Sequence, residues 1–262
     1  MKFNGTVCKP LAAAALLGAI WVSPFAVAAQ QAASVLDLTG FAGKLRLVNG
    51  ASGAPRATTP GWTLMDKDGA LTLKPPEQRR QYTSAIQSSC DSATNPTSAL
   101  SVMGSGAPAN ALEANEIVEV AIPARTRVLA RGFAGSLESK VALFDPELKV
   151  TTGAVSLAQV LGGELAVVGA GSISIDQAAG KLKIAVAGPG KVEIAGGRID
   201  ELNATVEDAG LLRHDGSARR ATLAASGISQ IRVRQVEQPV RVDQAGFAAV
   251  SIRCKGTACD PR

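Results

Sequence analysis

The second half of the chain alternates apolar and polar residues in short runs, and glycine-containing turns separate these runs at nearly equal intervals. Successive turn glycines are 17 to 20 residues apart, and they are Gly135, Gly153, Gly171, Gly190, Gly210, Gly227 and Gly246. After Gly153, Gly171 and Gly190, apolar residues stand at the second and fourth positions with a polar residue between them, as in Val192-Glu193-Ile194, and each other repeat departs from this pattern at one position. An apolar residue also stands four positions before each of the last five glycines. This period-2 pattern predicts two strands in every repeat, one on each side of the turn.

A fixed period near 20 residues predicts that the repeats stack on one another, because one repeat alone cannot bury its apolar face. No window of residues 135–253 carries the apolar spacing of an amphipathic helix. An antiparallel meander produces the same alternation, and the regular period favours the parallel arrangement. We therefore predict an all-β fold, a parallel β-helix or β-solenoid with coils of about 17–20 residues, preceded by a small N-terminal β segment.

The first half of the chain divides into segments of different composition. Residues 29–74 contain several alternating runs and are predicted to be N-terminal strands of the solenoid domain. In this segment Asp68-Gly69 precedes an alternating run, which is typical of a β-hairpin turn. Residues 75–111 are rich in small and polar residues, so we interpret them as a long loop or disordered insertion. Residues 112–253 are predicted to form the solenoid coils, and residues 254–262 a C-terminal tail.

The first 28 residues have the pattern of a cleaved signal peptide. Lys2 and Lys9 precede an apolar stretch over residues 11–22, and Ala26-Val27-Ala28 provides the small residues of a cleavage site. Cleavage there leaves 25 basic and 22 acidic side chains, a net charge of +3, which is too small to predict nucleic acid as a partner. No second apolar span follows, so we predict an exported protein of the periplasm or the extracellular cell envelope, without a transmembrane segment after cleavage.

Three of the four cysteines remain after this cleavage. Cys254 and Cys259 are close in sequence and are predicted to form a disulfide in an oxidising compartment, which leaves Cys90 free or paired with another chain. A bridge from Cys90 to one of these two cysteines is the alternative. Because His214 is the only histidine, no metal site is expected, and no cofactor is predicted.

Several motifs occur in the order known from one bacterial family. They are Gly40-Phe41, the run from Asp68-Gly69 to Leu73, the apolar strand over residues 118–123, and the turns at Gly171 and Gly190. In this order, over roughly residues 35–253, the chain resembles the head GIN domain family of putative autotransporter adhesins. The resemblance implies a secreted or envelope β-helical domain of unknown function, with adhesion implied by the family name.

His214 is the first candidate for chemistry. It aligns with apolar positions of neighbouring repeats, which are Leu157, Ile175, Ile194 and Ile231. A histidine held there near neutral pH is a candidate general base. We favour the structural interpretation, in which a bulge or register shift turns Leu211 inward and leaves His214 facing solvent.

Asp176 and Asp215 are the second candidate. Both stand five residues after a turn glycine, in repeats two apart, which predicts a separation of about 9–10 Å. This is near the upper limit for the two carboxylates of an inverting glycoside hydrolase. Ala195 occupies the matching place between them, and residues 135–253 contain only two aromatic residues, Phe144 and Phe247. We therefore assign no catalytic residue.

Six arginines fall on three successive repeats and predict a cationic strip. They are Arg213, Arg219, Arg220, Arg232, Arg234 and Arg241. The structural interpretation is a solvated face with acidic residues nearby, and arginines on outer strands also discourage aggregation. The functional interpretation is a surface that binds acidic envelope polymers.

Together these patterns predict a non-enzymatic cell-envelope β-solenoid that acts as an adhesin-like binding or scaffolding module. The predicted partners are envelope polysaccharide or another envelope protein. A polysaccharide-degrading β-helix enzyme and a self-assembling structural solenoid are the alternatives.

Overall fold

The computed structural model describes residues 34–50, 53–76 and 116–254. All of them belong to one compact unit, Ala33–Arg262. The predicted signal peptide, nearly all of the predicted insertion, Cys90, Cys259 and the side chain of Cys254 lie outside the described residues. The predictions made for them are therefore unchanged.

The described residues form strands and no helix, which confirms the prediction of an all-β fold. In chain order the strands are β1 (Val35–Asp37), β2 (Ala42–Asn49), β3 (Arg56–Ala57), β4 (Thr63–Lys67), β5 (Ala70–Lys74), β6 (Ile117–Ile122), β7 (Arg127–Phe144), β8 (Glu147–Val168), β9 (Ser172–Ala187), β10 (Lys191–Ile194), β11 (Gly197–Val206), β12 (Leu211–Ala225), β13 (Gln230–Val236), β14 (Arg241–Gln244) and β15 (Ala249–Cys254). Within this described part, nothing has the form of a helix able to span a membrane.

Parallel pairing of successive repeats builds a solenoid, as predicted. One face, here called the first face, is a continuous parallel ladder in the order β6, β2, β7, β8, β9, β10, β12, β13 and β15. Each coil then turns into a short second face and a longer third face. In one coil, β10 lies on the first face and the start of β11 on the second face. The rest of β11, after a register shift between Ile199 and Glu201, lies on the third face.

The prediction of two strands per repeat is therefore wrong, because each coil has three strand segments. The second-face segment is missed from the sequence because it is short. In β11 it places a single large apolar residue inward, Ile199, and a period-2 pattern needs at least two.

The core is a set of apolar columns that run along the solenoid. On the first face one column contains Leu137, Val155, Ile173, Val192, Leu212 and Ile231, all fully buried. On the third face Ile184, Ala204 and Leu223 form a matching column. Burial of each Leu, Ile or Val side chain contributes about 1.5–3 kcal/mol, so the regular alternation is what stabilises the stack.

A column of small residues occupies the corner before the first face. Gly171, Gly190 and Gly210 lie in register, and a Cβ on Gly190 would be 2.8 Å from the carbonyl oxygen of Gly169. In the last two coils Ser229 and Ala248 take this place, and the Ser229 hydroxyl donates a hydrogen bond to the carbonyl of Val206 at 3.1 Å. Only small side chains fit this corner.

The register predicted for the last two coils is consequently wrong by two residues. Gly227 lies beside Asp208 rather than beside Gly210, and Gly246 lies beside Gly227. The sequence contains two columns of turn glycines two residues apart, as in Gly188-Pro189-Gly190. Counting glycines alone does not separate these two columns.

The N-terminal end is built in a different order from the rest. β2 lies between β6 and β7, and β1 lies between β5 and β7. The predicted hairpin is confirmed, since β4 and β5 pair antiparallel through Asp68 (φ 55°) and Gly69 (φ 81°). Trp62 is buried there with its ring centroid 6.2 Å from that of Phe41. The chain thus forms its first coil, covers the outer side of that coil, and then adds the remaining coils on the other side.

Candidate binding site

The last coils of the first face carry two rows of outward side chains. Arg213, Arg232 and Ser251 are paired in register along one row. Asp215, Arg234 and Arg253 follow two positions later on the same strands and form the second row. Residues of a row are 19 apart in sequence, and neighbouring strands lie about 4.8 Å apart.

Four arginines of these rows form what we call the arginine cluster: Arg213, Arg232, Arg234 and Arg253. With Asp215 they line an open depression of about 490 Å³. All four arginines are exposed to solvent. Four guanidinium groups and one carboxylate give this surface a net charge of +3.

Asp215 is held in its ionised form inside the cluster. Its Oδ2 lies 2.8 Å from Nε of Arg213. This hydrogen bond lowers the pKa of Asp215, and the charges of Arg213, Arg232 and Arg234 add to the lowering. The same pair raises the pKa of Arg213. Asp215 therefore orients an arginine rather than carrying a proton.

The structure brings together only half of the predicted strip. Arg213, Arg232 and Arg234 belong to the arginine cluster, whereas Arg219 and Arg220 lie at the corner between the second and third faces. Arg241 lies on the third face in β14, with its Nε 3.7 Å from Asp243. The predicted strip groups arginines by nearness in sequence, which ignores the turns within each coil.

Arg253 is a member of the cluster that sequence reasoning missed. It stands one coil length, 19 residues, after Arg234. That spacing is the signal that could have found it, because residues one coil apart on the same face lie side by side.

His214 faces inward, so the prediction that it faces solvent is wrong. It is fully buried, with 0% exposed, in the column between Ile194 and Val233. Leu212 is inward on the same strand, so strand alternation places His214 inward as well. Ile231, with which the glycine count aligns His214, pairs with Leu212 instead.

The His214 ring lies among the apolar side chains of its column and against the backbone of Ile194 and Ser217. Neither ring nitrogen meets a hydrogen-bond partner in the part of the chain that the structure describes. Burial lowers the pKa of His214, while the neighbouring backbone of Ser217 and the carboxylate of Asp215 act in the opposite sense. A neutral imidazole enclosed in this way has no contact with the surface, and it cannot act on a substrate there.

The two aspartates considered for catalysis do not form a pair. Asp176 and Asp215 lie on the same outward row with Ala195 between them, and Asp215 is bound to Arg213. Among residues 34–50, 53–76 and 116–254, no group of three or more potential ligands is placed to hold a metal ion.

Fold and surface together define a β-solenoid protein with an exposed cationic site on its last coils. Residues 146–258, which contain the coils from β8 onward, match the family described as putative auto-transporter adhesin, head GIN domain. The resemblance stated from the sequence is thereby confirmed over these residues.

One solved structure shows the same fold. The crystal structure of a putative adhesin from Parabacteroides distasonis superimposes with a TM-score of 0.52 at 10% sequence identity, covering 83% of this chain and 92% of that chain. Among curated proteins, no sequence matches this chain.

Proposed function

We propose that this protein is an exported, adhesin-like binding module of the cell envelope that holds acidic polysaccharide on its arginine cluster. The observation that carries the proposal is the cluster itself, four exposed arginines around one carboxylate on an open surface. The matching family and the structural neighbour are both described as adhesins, which supports an adhesive rather than a metabolic role.

The spacing of the cluster suits an extended polymer better than a small ligand. Arg213 and Arg232 lie on adjacent coils, and so do Arg234 and Arg253, so each row offers charges about 4.8 Å apart along the solenoid axis. The depression is a partly open trough on the surface of the solenoid. A chain that carries an acidic group on each sugar can contact several arginines at once. Its overall affinity is then higher than that of any single contact.

The state of Asp215 favours binding over hydrolysis. Inverting glycoside hydrolysis needs one carboxyl group that is protonated near neutral pH. Arg213 lowers the pKa of Asp215, which keeps this group ionised. Asp215 is therefore not suited to be the proton donor of such a reaction.

Removing two guanidinium groups from the cluster is expected to weaken binding to polygalacturonate about tenfold, because two charge contacts are lost. The variant is Arg232→Ala with Arg234→Ala, and co-sedimentation with the polymer gives the affinity. The matched control is Arg219→Ala with Arg220→Ala, which removes the same charge at the corner and should change binding less than twofold, that is by roughly RT ln 2 or less.

Salt dependence and a test for cleavage products separate binding at a local charged site from catalysis. Binding at the cluster should weaken strongly between about 0.1 M and about 1 M salt, because the screening length falls from roughly 10 Å to roughly 3 Å. Equal losses in the two double variants would contradict a local site. New reducing ends that disappear in Asp215→Ala would show an enzyme instead.

A further inference from the structure

The two ends of the solenoid are closed differently. At the N-terminal end, residues 56–59 run along the outer edge of β6, where the amide of Thr58 donates a hydrogen bond to the carbonyl of Glu119. Trp62 covers the apolar interior at this end, packed on Phe41. The backbone edge and the core are therefore both covered there.

At this end the first face is covered by β6, a strand in which apolar residues stand on both sides of one acidic residue. β6 lies parallel on β2, with Val118 opposite Leu45 and Val120 opposite Leu47, both inward and buried. Between them the outward Glu119 lies opposite Arg46 in register. The Arg46 guanidinium itself is paired with Glu138, and the Glu119 carboxylate accepts a hydrogen bond from the Thr58 hydroxyl. A segment with apolar residues on both sides of an outward carboxylate thus covers β2.

The other end of the same face is built differently, because Ser251 takes the position of Arg46 in its row and Arg253 follows two positions later. β15 presents Val250, Ser251, Ile252 and Arg253, and among the described residues it pairs only with β13. Val250 and Ile252 remain half-buried, whereas Ile231 and Val233 in the same columns one coil earlier are fully buried. Phe247, in the turn before β15, is 90% exposed.

We propose that the free edge of β15 accepts an extended strand from a partner polypeptide, in which apolar residues alternate with acidic ones. A polypeptide is required because only a backbone supplies amide and carbonyl groups at the spacing of a strand edge. The apolar residues would cover Val250 and Ile252, and the acidic ones would lie beside Arg253. This inference shares Arg253 with the arginine cluster, so peptide binding is measured without polysaccharide, and loss of polymer binding alone would not contradict it.

Charge argues against a second copy of the chain at this edge. At this end Arg253 and Arg234 are neighbours in one row, whereas Arg241 on β14 is paired with Asp243. Two such ends placed together would bring like charges close, and basic residues on edge strands are a known means of preventing self-pairing. An acidic strand would instead be attracted to these arginines.

The test uses a fluorescent peptide with the sequence of residues 116–123 and the change Ala121→Glu, because position 121 lies opposite Arg253 when Val118 and Val120 cover Val250 and Ile252. Its binding to the whole chain is measured by anisotropy. Arg253→Glu in the protein, or lysine in place of glutamate at position 121 of the peptide, should each weaken binding about tenfold. The two changes together should restore most of it. Arg219→Glu is the matched control, with the same charge change away from β15, and should leave binding unchanged.

Backbone pairing is tested by N-methylation of the peptide on alternate residues. Methyl groups on residues 117 and 119 point to one edge of a strand, and those on residues 118 and 120 to the other. Only one of these two peptides should lose binding. Equal effects of both, or binding that does not respond to the charge swap, would overturn the proposal.

Two results would assign the edge to another occupant and also overturn it. One is a dimer in sedimentation that the peptide does not compete with, which indicates a second copy. The other is peptide binding that arises only after residues 255–262 are deleted, which indicates that this segment of the chain already covers β15.

Discussion

Replacing Gly153 with alanine is expected to lower the free energy of unfolding by roughly 2–6 kcal/mol, through backbone strain and overpacking together. Gly153 has φ +101°, a conformation that side chains rarely adopt. A Cβ at this position would contact the carbonyl oxygen of Gly135 and lie 2.7 Å from its carbonyl carbon. Gly135 and Gly153 belong to adjacent coils, and neither backbone can move without separating the parallel ladder between β7 and β8.

Gly132→Ala is the matched control for this substitution. Gly132 also has a positive φ, +70°, but a Cβ there would meet no atom within 4 Å. Its replacement should cost only the conformational term, roughly 1–2 kcal/mol. Urea unfolding of both variants gives the comparison. Equal losses would show that close approach of the coils does not limit the corner.

Replacing His214 with leucine is expected to stabilise the protein by about 1–3 kcal/mol near neutral pH, because it removes two buried nitrogen atoms without hydrogen-bond partners. Leucine matches the apolar column formed by Ile194 and Val233. Chemical unfolding at pH 7.5 measures the difference. Phenylalanine at the same position is a second test of packing, since its larger ring should be accommodated less well.

The same substitution should remove an acid sensitivity. Because burial lowers the pKa of His214 below its ordinary value of 6.5, the unfolded chain binds a proton at pH values where the folded chain does not. The free energy of unfolding is therefore not reduced by protonation of this histidine above about pH 6.5, and it decreases as the pH falls below that value. His214→Leu should flatten this part of the stability profile. An unchanged slope between about pH 7 and pH 5 would show that His214 is not its source.

Features that depend on neighbours in sequence were predicted correctly. Period-2 alternation identified the strands, since side-chain direction along a strand is a local property. Asp68-Gly69 identified the hairpin, because few residue pairs adopt two successive positive φ values. Arg213 and Arg232 were both placed in the predicted strip because they fall on successive repeats, and the structure pairs them in register.

Features that depend on contacts between coils were predicted less well. Ser229 replaces glycine in the corner column because a hydroxyl bonded to the carbonyl of Val206 also fits there, and the glycine count therefore aligned the wrong residues. That misalignment set His214 beside Ile231. The bends within each coil, which separate Arg219 and Arg220 from the arginine cluster, depend on a bulge that has no local sequence pattern.

The sequence by itself determined that this is a β-solenoid protein with inward apolar columns, tight corners and coils of nearly constant length, because alternation and turn residues act over a few positions. The tertiary structure alone decided which arginines share a surface, that His214 is enclosed, and that β6 covers β2 whereas β15 pairs with β13 alone within residues 34–50, 53–76 and 116–254. These arrangements depend on which coil lies beside which, and the packing of backbones across the corners, rather than any single repeat, sets that register.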